Sequence, residues 1–378
     1  MTPRERVLAA CDHREPDRLP IDFGGRVTSI HLFAEREVKR LLGLEGGEEI
    51  VRSYMTYTVE PDARLVERFG RDNLPFSTGP AAGFETKIDW EGLTYADEWG
   101  ITYRQPPGGY YFDPVGHPLA SVETSADLDR YAWPDPTDPG RIAHLIEPLR
   151  AARLAGQRTT MLSIGGLQGI WLQPQFLRGM EAGLLDLALN RPLAEALAER
   201  MTEWYEAFFD AHLAVIGPDL DFVHLEGDLG DQSGPLFSPR DFRAIFKPRL
   251  RRVIDAIKRR SNARIWLHSC GSVYWAIPDL LDVGVEVLNP IQVNAVDMDT
   301  QRLKREFGRD LTFWGAGCDP VVLQFGKPAD VDAEVRRRIA DLQPGGGFVF
   351  APIHNIQANV PAENVVAMFE AAHRYGGY

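Results

Sequence analysis

Cysteine is scarce in this chain: 378 residues hold three, at positions 11, 270 and 318. The opening stretch, MTPRERVLAACDHREPDRLP, alternates charged with apolar residues and lacks a hydrophobic signal core. An odd, sparse cysteine set without an export signal argues against a disulfide framework and for reduced thiols, so a soluble cytoplasmic protein is expected. No apolar run approaches the roughly 18 residues that a membrane span requires, so no membrane role is expected. Basic charge is also short, with 41 Lys and Arg against 54 Asp and Glu and a formal charge of −13. Such a surface repels phosphate backbones, which makes nucleic acid an unexpected partner, although a local arginine cluster can still take a small anion. The chain further lacks a Walker-A loop, a Gly-x-Gly-x-x-Gly after a strand, a Gly-x-Ser-x-Gly elbow and a His-Glu-x-x-His helix. Nucleotide cofactors and the common hydrolase arrangements lose weight accordingly.

What remains is an ordinary globular composition, 44% apolar and 25% charged. Short apolar runs rich in β-formers recur with helical stretches between them, the pattern of a parallel sheet with crossover helices. The expected strands are 18–24, 72–78, 159–166, 221–227, 263–269, 285–291, 311–317 and 346–353. Eight is the number that closes a (β/α)₈ barrel, an α/β fold of the TIM type. Helical spacing is clearest from Pro192 to Val215, then from Ser238 as N-cap and Pro239 at the first helical position through Ile257, and over 299–307 and 328–342. Residues 84–104 read as an antiparallel excursion turning at Glu91-Gly92, and 105–140, rich in proline, glycine and aspartate, as a long loop over one barrel face. The expectation is one domain spanning 1–378, with 84–140 as an insertion.

The strongest chemical signal pairs LHSCG, 267–271, with GAGCD, 315–319. Residues two apart in a strand point the same way, so His268 and Cys270 face one site together. Barrel enzymes carry their catalytic groups at the C-terminal strand ends, where both segments fall. Imidazole and two thiolates, with Cys318 as the third member, form a tetrahedral zinc set with one open position. The competing reading is that a strand-end cysteine is a small buried hydrophobe, which is also the reading for Cys11 in the N-terminal helix.

A second signal, VHLEGDLGDQSGPL at 223–236, puts His224, Glu226 and Asp228 on one face of a strand and its exit. Either carboxylate is a candidate base or fourth, exchangeable metal ligand, or simply a partner for the following loop. A third, FAPIHNIQANVPAEN at 350–364, places His354 as a candidate catalytic group and Asn355 as a substrate contact after the eighth strand. Arg26 and Gln292 are further candidates for substrate binding at the rim.

Taken together, RERVLAACDHREPDRLPIDFGG, SIGGLQGIWLQ at 163–173, GDLGDQSGPLFSPRDFRAIFKPRLRRVIDAIK at 227–258 and LHSCGSVYWAIPDLLDVGVEVLNPIQ at 267–292 resemble the uroporphyrinogen decarboxylase superfamily over nearly the whole chain. The resemblance implies a (β/α)₈ barrel. The decarboxylase branch carries an Arg-Gln-Ala-Gly-Arg-Tyr stretch where this chain has FGGRVTS, 23–29, which keeps Arg26 but not the motif. The other branch, the cobalamin-dependent methyltransferases, binds zinc through a His-x-Cys pair and a distant Cys, a pattern that His268, Cys270 and Cys318 match. That likeness implies a zinc-dependent methyltransferase working with cobalamin, free or on a corrinoid partner protein docked over the barrel mouth, with a homodimer as the default assembly. The alternative it leaves is a metal-free decarboxylase of a tetrapyrrole or polycarboxylate, with Arg26, Arg104 and Arg178 as its cations.

Overall fold

In the computed structural model, which describes residues 1–378, seven parallel strands lie side by side in chain order. They are Asn73–Ser77, Thr159–Ser163, Phe222–Glu226, Arg264–His268, Val287–Asn289, Thr312–Trp314 and Phe348–Val349. From Phe222–Glu226 onward the strands are buried almost throughout and largely apolar, whereas Asn73–Ser77 is only partly covered and Thr159–Ser163 carries three polar residues. The stretch 18–24 closes the ring between the two edge strands. On one side Asp22 N–H donates to Phe350 O at 2.8 Å and Phe350 N–H to Pro20 O at 2.9 Å. On the other, Asp72 N–H donates to Ile21 O at 2.8 Å, and Ile21 N–H to the Asp72 carboxylate at 2.8 Å. Pro20 has no N–H to give and glycines follow at 24 and 25, so this eighth member pairs without forming a regular ladder. The architecture is that of a (β/α)₈ barrel.

Side chains alternate across the wall. Ile265 and Leu267 enter the 83-residue core between sheet and helices, while Trp266 joins a separate interior cluster with Met161, Phe222, Val287 and Trp314. His224, Glu226 and His268 share the inward phase of Phe222 and Trp266, and therefore stand above the aromatic plug at the upper end of the barrel. The lower end is covered by the helix Pro3–Cys11, whose Cys11 belongs to the interior cluster and whose Ala10 O accepts Gly347 N–H at 2.7 Å. Burial pushes the Cys11 thiol up to about 12, which leaves it an inert hydrophobe at the end away from the site.

The helices follow the sequence closely: Arg191–Ile216, Thr300–Phe307 and Pro328–Leu342. Ser238 caps the one after the third barrel strand, its hydroxyl accepting Asp241 N–H. That helix is interrupted by a π turn at Phe242–Phe246 before Lys247–Arg260. Pro248 lies just past this turn and cannot supply an i→i−4 donor, so a local change of ladder there relieves the conflict.

The excursion is a three-stranded antiparallel sheet, Thr94–Ala96, Thr102–Arg104 and Asp113–Gly116. The chain turns at Glu91-Gly92, where Asp89 and Thr94 form an antiparallel bridge, and again at Asp97–Gly100, which joins the first two strands. Asp97 Oδ1 accepts the N–H groups of Trp99 and Ile101, both at 3.0 Å, whereas Glu91-Gly92 is a smaller turn held by Asp89. Beyond 116 the proline-rich stretch leaves the barrel mouth for the outer flank of Arg191–Ile216, where Trp204 donates to Pro134 O and His212 pairs with Pro136 O. No helix is long and apolar enough to cross a membrane.

Candidate metal centre

His268 ends the fourth barrel strand, fully buried, beside Glu226 and Asn289 in register. Its Nδ1 lies 2.7 Å from Asn289 Oδ1, while Asn289 Nδ2 donates to Trp314 O at 3.0 Å. The second bond fixes the amide so that oxygen faces the imidazole. Nδ1 is then the protonated nitrogen, and Nε2 is left with its lone pair exposed to the barrel mouth. Cys270 Sγ sits 3.4 Å from that Nε2. Two ligands of a tetrahedral zinc at ordinary Zn–N and Zn–S lengths lie about 3.6 Å apart, so the pair fits the ion.

The third member is His354. Its ring lies 5.4 Å from that of His268, and the ligand atoms of His268, Cys270 and His354 all fall within 4.8 Å of one another. Burial first, then the neighbouring His268, push the His354 imidazolium down to about 4, which keeps the ring neutral and able to ligate at physiological pH. Burial also holds the Cys270 thiol well above its ordinary range, with the Asp228 and Glu226 charges adding to it. A bound dication would reverse that sign and draw off the proton. Two imidazoles and a thiolate form a borderline-soft set suited to zinc.

Cys318 does not join them. The strand Thr312–Trp314 ends three residues after Leu311, and Gly315 and Ala316 follow with φ of 106° and 65°. Two left-handed residues in succession cancel the alternation that would have carried residue 318 inward after Trp314. Cys318, only 1% exposed, packs in the outer core, where burial and then the charges of Glu334 and Asp319 hold its thiol high. The structure brings His268 and Cys270 together, and the third donor beside them comes from the segment after Phe348–Val349 instead of the one after Thr312–Trp314.

The carboxylates divide their roles. Glu226 is held by Arg26, Nε to Oε2 at 2.6 Å, which disfavours it as fourth ligand. Asp228 Oδ1 accepts Cys270 N–H at 2.7 Å and lies 3.9 Å from His268 Nε2, so it is the acid nearer the open side of the group. His224, one interior layer lower, lies 4.3 Å from Trp266 with its Nε2 unpartnered, and burial keeps it neutral.

A cavity of about 430 Å³ opens onto Glu226, Asp228, His268 and His354, with Leu172, Phe176, Met180 and Leu184 as its apolar wall. A second, of about 240 Å³, adjoins it across Arg26, Ser53, Met55 and Gln168. Arg26 lines both cavities. Asn355 borders the larger one, but its amide is committed to Ser29 N–H at 2.8 Å and Arg26 O at 3.3 Å, so it braces the rim. Gln292 is buried away from both cavities, where its Oε1 accepts Gly271 N–H at 2.8 Å and fixes the turn after Cys270. Both brace the site through backbone contacts, and of the two only Asn355 borders a cavity.

Asn289 was legible only as part of NPI, and its role follows from the His268↔Asn289 register. Asn289→Ala is expected to weaken metal affinity about 10- to 100-fold, since an unanchored imidazole must be ordered by the ion itself. Chelator competition on the folded variant measures this. The apolar wall, drawn from residues 172–184, carried no sequence signal beyond helical spacing.

A profile of the family described as uroporphyrinogen decarboxylase (URO-D) matches residues 93–375. Uroporphyrinogen decarboxylases of Enterobacter sp. (strain 638) and Alkalilimnicola ehrlichii are 23% and 24% identical to this chain over 296 and 298 residues. Each alignment covers 75% of this chain, and 76% and 74% of the two relatives. Among solved structures, a methyltransferase from Methanosarcina mazei superposes with a TM-score of 0.62 at 19% identity, covering 99% of both chains. At that identity the likeness speaks for the fold. With the family match spanning well over half of its length, this chain belongs to the uroporphyrinogen decarboxylase family, on a barrel that a methyltransferase shares.

Proposed function

We propose that this protein is a zinc-dependent methyltransferase that moves a methyl group between a corrinoid and a small thiol, methoxy or related substrate. The observation that carries the reading is the convergence of His268 Nε2, Cys270 Sγ and His354 within 4.8 Å at the mouth of the barrel, beside a cavity of small-molecule size. Zinc held there by His268, Cys270 and His354 would supply Lewis-acid chemistry, making a thiol of ordinary pKa near 8.5 available as thiolate at neutral pH.

The chain's own groups prepare that position. Asn289 sets the tautomer of His268, and Asp228 ties down the Cys270 backbone. The Arg26–Glu226 pair keeps a second carboxylate at the cavity wall without letting it crowd the ligand group. Leu172, Phe176, Met180 and Leu184 exclude water on the side where an apolar methyl group enters. A corrinoid is larger than this cavity, so it approaches from outside, free or on a partner protein resting on the barrel mouth.

The alternative, a metal-free decarboxylase of a tetrapyrrole or polycarboxylate, needs several unpaired cations around its substrate. Arg178 is buried against Asp186 and the carbonyls of Leu119 and Ala120, and Arg104 is exposed on the antiparallel sheet, so of the three only Arg26, with Glu226 on its Nε, faces a cavity. The ligand group favours methyl transfer over that reading.

Elemental analysis of the purified wild type is expected to give about one zinc per chain. Supplied with methylcobalamin and a panel of thiols, the protein is expected to consume the methyl–cobalt absorbance, and to stop doing so after chelation. A zinc-free preparation that decarboxylates a porphyrinogen, with activity indifferent to chelator, would overturn the proposal.

A further inference from the structure

The smaller cavity is not explained by the metal chemistry. Met55 is the one wholly apolar side chain among its 17 lining residues, and the hydroxyls of three serines, three threonines and three tyrosines make up most of the wall. Two guanidinium groups reach it. Arg26 spends Nε on Glu226 and Nη2 on Leu167 O, which leaves Nη1 unused at the junction of the two cavities. Arg52, with 32% of its side chain exposed, has Glu60 as its one ion-pair partner.

Glu60 is itself shared. Its other oxygen takes Arg71 Nη1 at 2.9 Å, so two cations compete for one carboxylate and a net positive charge remains at this end of the cavity. The only acid that lines the cavity is Asp97, and it is occupied: Oδ1 accepts Trp99 and Ile101 N–H, and Oδ2 accepts the Tyr103 hydroxyl at 3.1 Å. Burial lifts Asp97 to about 6, so at neutral pH it remains largely a carboxylate whose oxygens are taken up by these donors. Guanidinium N–H donors are costly to leave half-buried and unmatched, and their planar fork fits a pair of carboxylate oxygens.

We propose that this hydroxyl-lined cavity is the recognition lobe of the active site, where Arg52, assisted by Arg26 at the junction, anchors a carboxylate carried by the methyl-donating or methyl-accepting substrate. This rests on the methyltransferase reading and narrows it: the substrate is a small carboxylate whose reacting sulfur or oxygen lies in the larger cavity while its anionic end lies in the smaller one. Arg52 is a specificity residue, remote from the ligand group, and Gln168, which lines both cavities, is placed to contact the body of the molecule between them.

The test is calorimetric titration with benzoate and with its neutral isostere benzamide, on the zinc-loaded and the metal-stripped protein. Benzoate is expected to bind about 10- to 100-fold more tightly than benzamide, the range expected of charge-assisted hydrogen bonds to a guanidinium. The preference is expected to persist without metal and to disappear in Arg52→Gln, while zinc content stays unchanged. Equal affinity of the two probes in the wild type, or a benzoate preference that survives in Arg52→Gln, overturns the proposal. The wild-type comparison needs no variant to fold. Because zinc content is measured on the same samples, loss of the methyltransferase reading and loss of the carboxylate lobe are separate results.

Discussion

His354→Ala is expected to strip the metal from this protein, and Cys318→Ser to leave it bound. His354 brings one of three donor atoms that already lie within 4.8 Å of each other, and its ring is held neutral by burial, so little reorganisation separates it from ligation. Losing a donor exceeds the roughly 10- to 100-fold that an outer-shell partner contributes to affinity. His268→Ala and Cys270→Ser belong with it. Cys318 is turned away by the left-handed residues before it and packs in the outer core. Serine there disturbs packing and leaves the donor set intact. Chelator competition with elemental analysis on the four folded variants measures the outcome. Zinc lost from Cys318→Ser and kept in His354→Ala would mean that the loop after Trp314 rearranges to ligate.

The second large effect concerns closure of the barrel. Asp72→Ala is expected to destabilise the fold by about 3–5 kcal/mol, the range for removing one partner of a buried ion pair. Asp72 is 1% exposed and takes Arg6 Nη1 at 2.8 Å, the Arg18 guanidinium at 2.9 Å and Ile21 N–H at 2.8 Å. It therefore joins the N-terminal helix, the irregular eighth member at 18–24 and the strand Asn73–Ser77 at a single carboxylate. Alanine leaves Arg6 with only the partly exposed Asp17 as counter-charge and Ile21 without an acceptor, at the one seam where no regular ladder holds the ring. Urea unfolding is the measurement, and Asp72→Asn, which keeps an acceptor for Ile21, is expected to lie between the wild type and alanine.

Much of the frame was legible beforehand because local rules decide it. Seven of the eight expected runs are strands of one parallel sheet, and the helix at 328–342 matches its expected bounds, since apolar spacing and Pro328 at its start are properties of neighbouring residues. The run 18–24 took its place in the ring without becoming a ladder, because Pro20 withholds a donor and long-range pairing with 72 and 350 does the rest. The turn at Glu91-Gly92 is local and brackets an antiparallel bridge between Asp89 and Thr94. The larger hairpin at Asp97 depends on one side chain capping two backbone donors.

The metal centre divides along the same line. His268 and Cys270 are two residues apart on one strand end, so strand geometry alone commits them to one site, and the sequence by itself determined those two of the three candidate donors. The third donor is a question of which distant segment arrives there, and period-two alternation holds only while the backbone stays extended. Gly315 and Ala316 leave the extended region, which sends Cys318 outward, and the turn after Val349 brings His354 in. Likewise, sequence pattern offered Glu226 and Asp228 as equals, and only the approach of Arg26, from the other end of the chain, separated them. The strand-local pair was fixed by covalent spacing, and the rest of the centre by contacts that exist only once the barrel has closed.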